Sequence, residues 1–503
     1  MINDKKKIIF YFFLISLLFK PLWLFEYSSI EDTGDDVSYW LHSATLAFDQ
    51  DINYINDFQS EIVLVNKDTN SPIHYPGSGY LSSPFVFIFS FIDNLLDQEF
   101  DRLNPTGTFS YLGYFFSTLF YCYLGFYLIY KLIQLKGLLL DKNFVFIGFL
   151  GTLVHFVVTR FLMSHSVEFF LCAALLFLFE TRKNFDKQSD MILLTVTFFL
   201  LLITRPSTFI YSLVLFLIYK KKFKISKIYK QYVWLSVLAF IIFLYRFISL
   251  KLYSTQYFLI NNYGNQGVWK ADSLNFDTYF DGLLKIPNLF FSFNMGLVWS
   301  MPIIIFAIFG LFKNFKYFEH KFLIFIYFSG AFSVLFIWQG REIAYGQRLL
   351  IGVIPLCLLI ISKTNFKFKK IYLLFSIWTY LGYLYLYSSK LLTLTSGKTL
   401  WGTEVGFTTP NYFINLSKNI INADNIGYIL FKNIYSINFL NIFGLDVVPK
   451  NIINIIPQNL LLKVNAYAEI YQNIDIYYLV LTNLLIITFS LSFAYLLVKK
   501  FKV

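Results

Sequence analysis

The chain has 503 residues, 57% of them hydrophobic and only 14% charged, with a mean hydropathy of +0.58. Soluble domains carry about 25% charge, so an ordinary soluble fold is excluded and an all-α polytopic membrane protein of about twelve transmembrane helices is expected. The formal charge of +12 does not indicate nucleic acid, because the basic excess sits in short connections between apolar runs.

Spans are expected near 8–25, 109–130, 144–160, 165–180, 190–204, 206–219, 231–250, 295–312, 322–338, 348–362, 371–388 and 476–498. Of these, 190–219 also reads as one broken hairpin. The first run follows a basic start, but Phe25-Glu26-Tyr27 offers no small-residue cleavage site, so it reads as an uncleaved anchor. Seven connections are Lys-rich: Lys5–Lys7, Lys131–Lys142, Arg182–Lys187, Lys220–Lys230, Lys313–Lys321, Lys363–Lys370 and Lys499–Lys502. They hold 25 of the 42 Lys and Arg and few of the 30 Asp and Glu. Positive loops stay in the cytoplasm, so both termini are expected there. The long connections 26–102, 251–294 and 390–475 are then expected on the exoplasmic face. Cys122, Cys172 and Cys357 all fall in apolar runs, which argues against a disulfide framework.

The chemistry-bearing residues fall on the Lys-poor face. In the first outer loop, Gly34-Asp35-Asp36 opens an amphipathic stretch, Val37 to Phe48. Asp35 reads either as a helix N-cap or as a proton acceptor. Asp36 reads as a dipole partner or as the acceptor in its place. Pro84 to Leu96 is apolar but short for a span, and is expected to lie in the interface. Between them, His74-Tyr75-Pro76-Gly77 has the Pro/Gly density of a fixed, close-approach loop. His165 and nearby Glu168 begin one run, and Arg205-Pro206 ends another. An Arg at that depth either snorkels or meets a partner. The turn Trp338 to Arg348 holds Arg341, Glu342 and Arg348. Arg341 and Glu342 can pair with each other, while Arg348 enters a run interrupted at Pro355. A guanidinium there suits bidentate phosphate binding.

Four of these stretches carry a resemblance. The run Gly34-Asp35-Asp36, Tyr39, Ser43, Asp49-Gln50-Asp51 and Asn56-Asp57 resembles the first-loop signature of GT-C superfamily membrane glycosyltransferases, such as aminoarabinose transferases and protein O-mannosyltransferases. His74-Tyr75-Pro76-Gly77, Asn294-Met295-Gly296 with Ser300-Met301-Pro302, and Trp338, Gly340, Tyr345-Gly346-Gln347-Arg348 with Pro355 are similar to three later stretches. Departures are Asp36 for a commoner Glu, a missing second Pro in the Pro-Gly loop, and Asn294 where Arg is usual.

The resemblance spans residues 1–390, a GT-C-like catalytic module. A small outer segment, 391–475, and a last helix with a cytoplasmic tail, 476–503, would follow it. It implies inverting transfer of a sugar from a polyprenyl-phosphate carrier to a glycan, lipid or protein acceptor on the exoplasmic side of a bacterial inner membrane. Asp35 or Asp36 would be the base, and His74, Tyr75, His165, Arg205, Arg341, Glu342 and Arg348 the substrate and phosphate contacts. A divalent metal ion is compatible with such a site, with no ligand set spelled out. Two other readings of the same residues are an outer-leaflet oligosaccharide polymerase or ligase, and a lipid-linked glycan transporter.

Overall fold

The structure is a computed structural model that describes residues 34–52, 54, 65–66, 71–72, 74–97, 105, 108–138, 153, 156–157, 160–183, 185, 187–222, 284, 286–292, 296–313, 321–337, 347–363, 371–372, 374–380 and 476–500. Most of these residues are helical; the described strands form one two-residue antiparallel ladder pairing Val65 with Pro72 and Asn66 with Ser71. The expected spans 8–25 and 231–250, most of 144–160, and the outer segment 390–475 lie outside them.

Helix α1 (Gly34–Phe48) buries Trp40, Leu41 and Ala44 together with Ser38, His42 and Thr45. It begins at Gly34, ahead of the expected Val37 start. Asp35 and Asp36 therefore stand in its first turn, and Asp35 is not its cap.

Helix α2 (Gly77–Leu95) packs between α1 and α3 (Phe109–Leu135). It is longer than the interfacial stretch expected at 84–96, and its polarity is inverted. Ser78, Ser82, Ser83, Ser90 and Asp93 are buried, whereas Phe87, Ile88, Phe91 and Leu95 are exposed. Pro84 lies inside the helix and cannot donate to the carbonyl four residues back. The Ser83 hydroxyl donates to that carbonyl, Tyr80 O, at 2.8 Å, so the helix continues. At the other end Asp93 accepts from the backbone N–H groups of Phe109 and Ser110, both at 2.7 Å. A carboxylate on the first amides of α3 is a favourable helix-dipole contact. Thr108 adds a side-chain cap to Tyr111 N at 3.1 Å.

Helices α4 (His165–Thr181), α5 (Gln188–Thr204), α6 (Pro206–Ser212) and α7 (Val214–Ile218) follow. The chain reverses at Arg205, where Pro206 opens α6 at the position that lacks a use for its N–H. Next come α8 (Ile286–Phe291), α9 (Leu297–Ser300), α10 (Pro302–Lys313), α11 (Lys321–Ile337), a 3₁₀ turn (Arg348–Val353), α12 (Ile354–Lys363) and α13 (Ile476–Lys500). The expected interruption at Pro355 takes the form of that 3₁₀ turn, with Pro355 in the first turn of α12.

Pairings fix the directions. Phe126 meets Phe169 and Lys136 meets Glu180, so α3 and α4 run parallel. Phe116 meets Phe489 and Phe120 meets Phe493, so α13 runs parallel to α3 as well, and Tyr123 bonds Ser490 at 3.0 Å. Arg182 pairs with Asp190 at 3.0 Å, and the Lys222 ammonium donates to Arg182 O at 2.7 Å. The basic stretches after α3, α4 and α7 therefore meet at one end of the bundle. Lys363, at the end of α12, lines a cavity there with Lys136 and Lys222.

Among the described residues one helix, α3, is long and apolar enough to cross a membrane. Gln188–Thr204, Pro206–Ile218, Pro302–Lys313, Phe322–Phe332 and Leu484–Leu496 are shorter apolar helices. Large apolar side chains are exposed along many of them: Ile192 and Val196 on α5, Leu217 on α7, Phe309 on α10, Phe322 and Phe325 on α11, Leu484 and Leu496 on α13.

Candidate functional site

The end of the bundle away from the lysines is built from five separate stretches of chain. Gly77 lets the 74–77 loop come close to the end of α5: a Cβ there would lie 2.7 Å from Thr204 N and 2.8 Å from Ile203 C. Only glycine permits that approach. The loop is also tied to α1. His42 Nε2 lies 2.7 Å from the His74 carbonyl oxygen, and its Nδ1 lies 2.6 Å from the Tyr54 hydroxyl. A carbonyl only accepts, so Nε2 carries the proton and Nδ1 accepts from Tyr54. The Tyr54 oxygen lies 3.2 Å from the Tyr80 hydroxyl, which is left to donate. A directed chain thus runs from Tyr80 through Tyr54 and His42 to the His74 backbone. Burial pushes the His42 imidazole down to about 3, against the upward pull of the His74 hydrogen bond; the ring is neutral and structural.

The loop side chains then face α1 and Arg205. The His74 ring lies 5.2 Å from the ring of Tyr39, whose hydroxyl accepts from Ser164 at 3.3 Å. Burial pushes the Tyr75 hydroxyl up to about 12; Tyr39 adds to this and the Arg205 charge opposes it. Tyr75 is therefore a hydrogen-bond donor at neutral pH, close enough to Arg205 to feel its charge.

One turn from Tyr39, Asp36 is buried and its Oδ2 accepts from Arg160 Nε at 2.7 Å. Arg160 comes from the segment just before α4, so this ion pair joins the first turn of α1 to the start of α4.

The second anchor is Glu168, fully buried on α4. Its Oε1 accepts from Thr208 at 2.5 Å, and its Oε2 lies 3.2 Å from His165 Nδ1 and 3.6 Å from Arg205 Nε. The Gly352 backbone N–H also bonds to it. Gly352 has no room for a side chain: a Cβ would lie 2.6 Å from Thr208 Cγ2 and 3.0 Å from Glu168 Oε1. One carboxylate thus gathers α4, α6 and the 3₁₀ turn. Paired and hydrogen-bonded on several sides, it meets the condition for burying a charge.

Arg348 opens that 3₁₀ turn, about 8 Å before Gly352 at 2 Å per residue. The chain after Gly352 runs toward Lys363 and the basic end, so Arg348 stands on the side of His165 and Arg205. The residue before it, Gln347, is buried with φ 48° and ψ 61°, a left-handed conformation uncommon for a residue with a side chain. Such local strain persists where surrounding structure enforces it, and it clusters at functional positions.

Of the residues singled out in the sequence, Asp36, His74, Tyr75, His165, Arg205 and Arg348 gather at this end. The Asp35 side chain, Arg341 and Glu342 lie outside the described residues, as do Asn294, Met295 and Trp338. Sequence reasoning missed Arg160 and His42. Arg160 carries the same signal that marked Arg205, a cation at the Lys-poor end of an apolar run. His42, a lone polar residue on the buried face of an amphipathic helix, carries no comparable signal. Among the described residues no group of three or more His, Cys, Asp or Glu converges as a metal site. What the arrangement offers is donor-rich: three guanidiniums, the Tyr75 hydroxyl and two imidazoles at the same end as two carboxylates, each already engaged by an Arg. That surplus of donors suits an anion with several oxygens. No protein-family model, curated protein or solved structure matches the chain.

Proposed function

We propose that the chain is a polytopic membrane glycosyltransferase of the GT-C type, with about twelve spans and both termini cytoplasmic. In this reading it transfers a sugar from a polyprenyl-phosphate carrier to an exoplasmic acceptor with inversion. Residues 1–390 form the catalytic module, 391–475 an outer segment and 476–503 the last span with its tail. The observation that carries the reading is the convergence of Asp36–Arg160, His74–Tyr75, His165–Glu168–Arg205 and the Arg348 turn at one end of the bundle, opposite the lysines. The membrane part is supported by the inverted polarity of α2 and by the exposed apolar faces of the other helices. A soluble monomer rarely exposes apolar patches beyond a few hundred Å², whereas lipid-facing helices require them.

The mechanism needs little acid catalysis, because a carrier phosphate is already a good leaving group. Arg205, Arg348 and the Tyr75 hydroxyl hold the phosphate and stabilise the charge it gains as the glycosidic C–O bond breaks. The acceptor hydroxyl attacks the anomeric carbon from the opposite face and gives its proton to a carboxylate. Since Arg160 occupies one oxygen of Asp36, we assign that proton to Asp35. Asp36 is then a positioning residue that seats Arg160 and the first turn of α1. Glu168 likewise positions His165 and Arg205.

The test is cleavage of a polyprenyl-phosphate-linked sugar by the purified chain with an envelope-lipid extract as acceptor. Asp35→Asn is expected to lower turnover by about 10²–10⁴, the usual contribution of a general base, with folded protein retained. Asp36→Asn is expected to lower turnover and thermal stability together. If both variants turn over at the wild-type rate, the transferase reading fails. Movement of intact donor across vesicles without release of polyprenyl phosphate would favour the transporter instead.

A further inference from the structure

A second polar site lies at the opposite end of α4. Glu180 is twelve residues beyond Glu168, about 18 Å along the helix axis. Beside it is a cavity of roughly 390 Å³ whose polar lining is Lys136, Lys221, Lys222, Lys363, Tyr219 and Glu180. That volume lies in the range of small-ligand sites and far exceeds the ~30 Å³ share of one water.

Two of the four lysines serve the fold. Lys136 pairs with the Glu180 carboxylate, which also accepts from Tyr219. Lys222 donates to the carbonyls of Phe179, at 2.5 Å, and Arg182, at 2.7 Å. It thereby closes the C-terminus of α4, where a cation complements the helix dipole. With Lys221 and Lys363 the lining holds four lysines against one carboxylate, Glu180, and is net positive. Partial burial of the ammonium lowers Lys222 and Lys363 below their ordinary range; the Glu180 charge opposes this and the Lys136 charge adds to it. An arriving anion would relieve that cost.

The rest of the lining is apolar, including Leu176, Leu215, Ile218, Leu356 and Leu359. The flanking helices carry exposed apolar residues, Leu217 on α7 and Phe322 and Phe325 on α11. A bare anion would leave the apolar wall wet, and a neutral apolar ligand would leave the net positive charge of the lining unbalanced. An amphiphile with an anionic head and an acyl chain satisfies both.

We propose that this cavity binds an anionic phospholipid. Its phosphate sits among Lys221, Lys363 and Lys222, and an acyl chain lies along the Leu176–Leu359 wall. Basic pockets between membrane helices commonly recognise anionic headgroups in this way. The proposal rests on the membrane reading of the chain but not on sugar transfer.

The test is native mass spectrometry of the purified full chain in neutral detergent, titrated with phosphatidylglycerol, phosphatidylcholine or inorganic phosphate. Phosphatidylglycerol is expected to bind saturably and at least about tenfold tighter than phosphatidylcholine, a gap of about 1.4 kcal/mol, with no binding of millimolar phosphate. The K221Q/K363Q variant should lose that preference, and K221R/K363R should keep it, which separates loss of charge from loss of fold. Equal affinity for the two lipids, unchanged binding in K221Q/K363Q, or phosphate alone binding as tightly as the lipid would each overturn the proposal. Donor cleavage does not enter the readout, so its failure and the failure of the transferase reading are distinguishable.

Discussion

Two buried polar residues, His42 and Glu168, do most to hold the candidate site in register. They differ in how far the sequence announces them. Glu168 stands three residues after His165 at the Lys-poor end of an apolar run, where an acidic residue needs a partner, so its neighbourhood was legible. Its actual partners, Thr208 and Gly352, are 40 and 184 positions away, and no local pattern encodes them. His42 is the clearer test of the structure. Its folded-state value of about 3 lies below the unfolded value of 6.5. Above pH 6.5 the ring is neutral in both states, and its contribution to stability is fully present. As pH falls below 6.5 the unfolded chain takes up a proton that the folded chain does not, and stability is lost progressively toward pH 3. One pH unit is worth about 1.4 kcal/mol in that window. Wild type is therefore expected to lose about 2 kcal/mol more than His42→Gln between pH 6.5 and 5, read from denaturant unfolding in detergent. Parallel stability profiles for the two proteins would mean that His42 is not the buried neutral donor described here.

At the scale of elements, hydropathy located several of the described helices and differed from the structure at others. The apolar runs at 109–130, 165–180, 190–204 and 476–498 form helices α3, α4, α5 and α13 with ends shifted by a few residues, whereas 206–219 is divided between α6 and α7 and 295–312 between α9 and α10. The stretch 84–96 reads as apolar but short for a span, and Ser82 and Ser83 stand just before it. In the structure those serines face inward and Ser83 repairs the bond that Pro84 breaks, so the helix starts at Gly77. Ser82 and Ser117 hydroxyls meet at 2.8 Å between α2 and α3, the kind of small polar contact that joins helices when water is absent. Pattern reading assigns apolar residues to the inside, and α2 reverses that rule. The Asp93 contact to the start of α3 was equally out of reach, since it joins residues 16 and 17 positions apart that no local pattern couples.

For the whole molecule, charge asymmetry was the most readable feature, because it is a property of composition along the chain and needs no contacts. The lysines after α3, α4 and α7 and at the end of α12 do meet at one end, and Asp36, His74, His165 and Arg205 meet at the other. Whether those ends are cytoplasmic and exoplasmic is open to impermeant thiol labelling of single-cysteine variants in intact cells. The three native cysteines are buried. A Cys at Ser60 should react from outside and one at Ser226 should not; the reverse pattern would invert the topology. The central claim, that the outward end holds a carrier phosphate, is tested most directly by cleavage of a polyprenyl-phosphate-linked sugar across an Arg348 series. Arg348→Lys keeps the charge but loses the planar fork, and is expected to slow turnover clearly. Arg348→Ala is expected to cost about 10²–10³, as for loss of one charge-stabilising donor, at unchanged yield of folded protein. Wild-type turnover by Arg348→Ala would contradict the account.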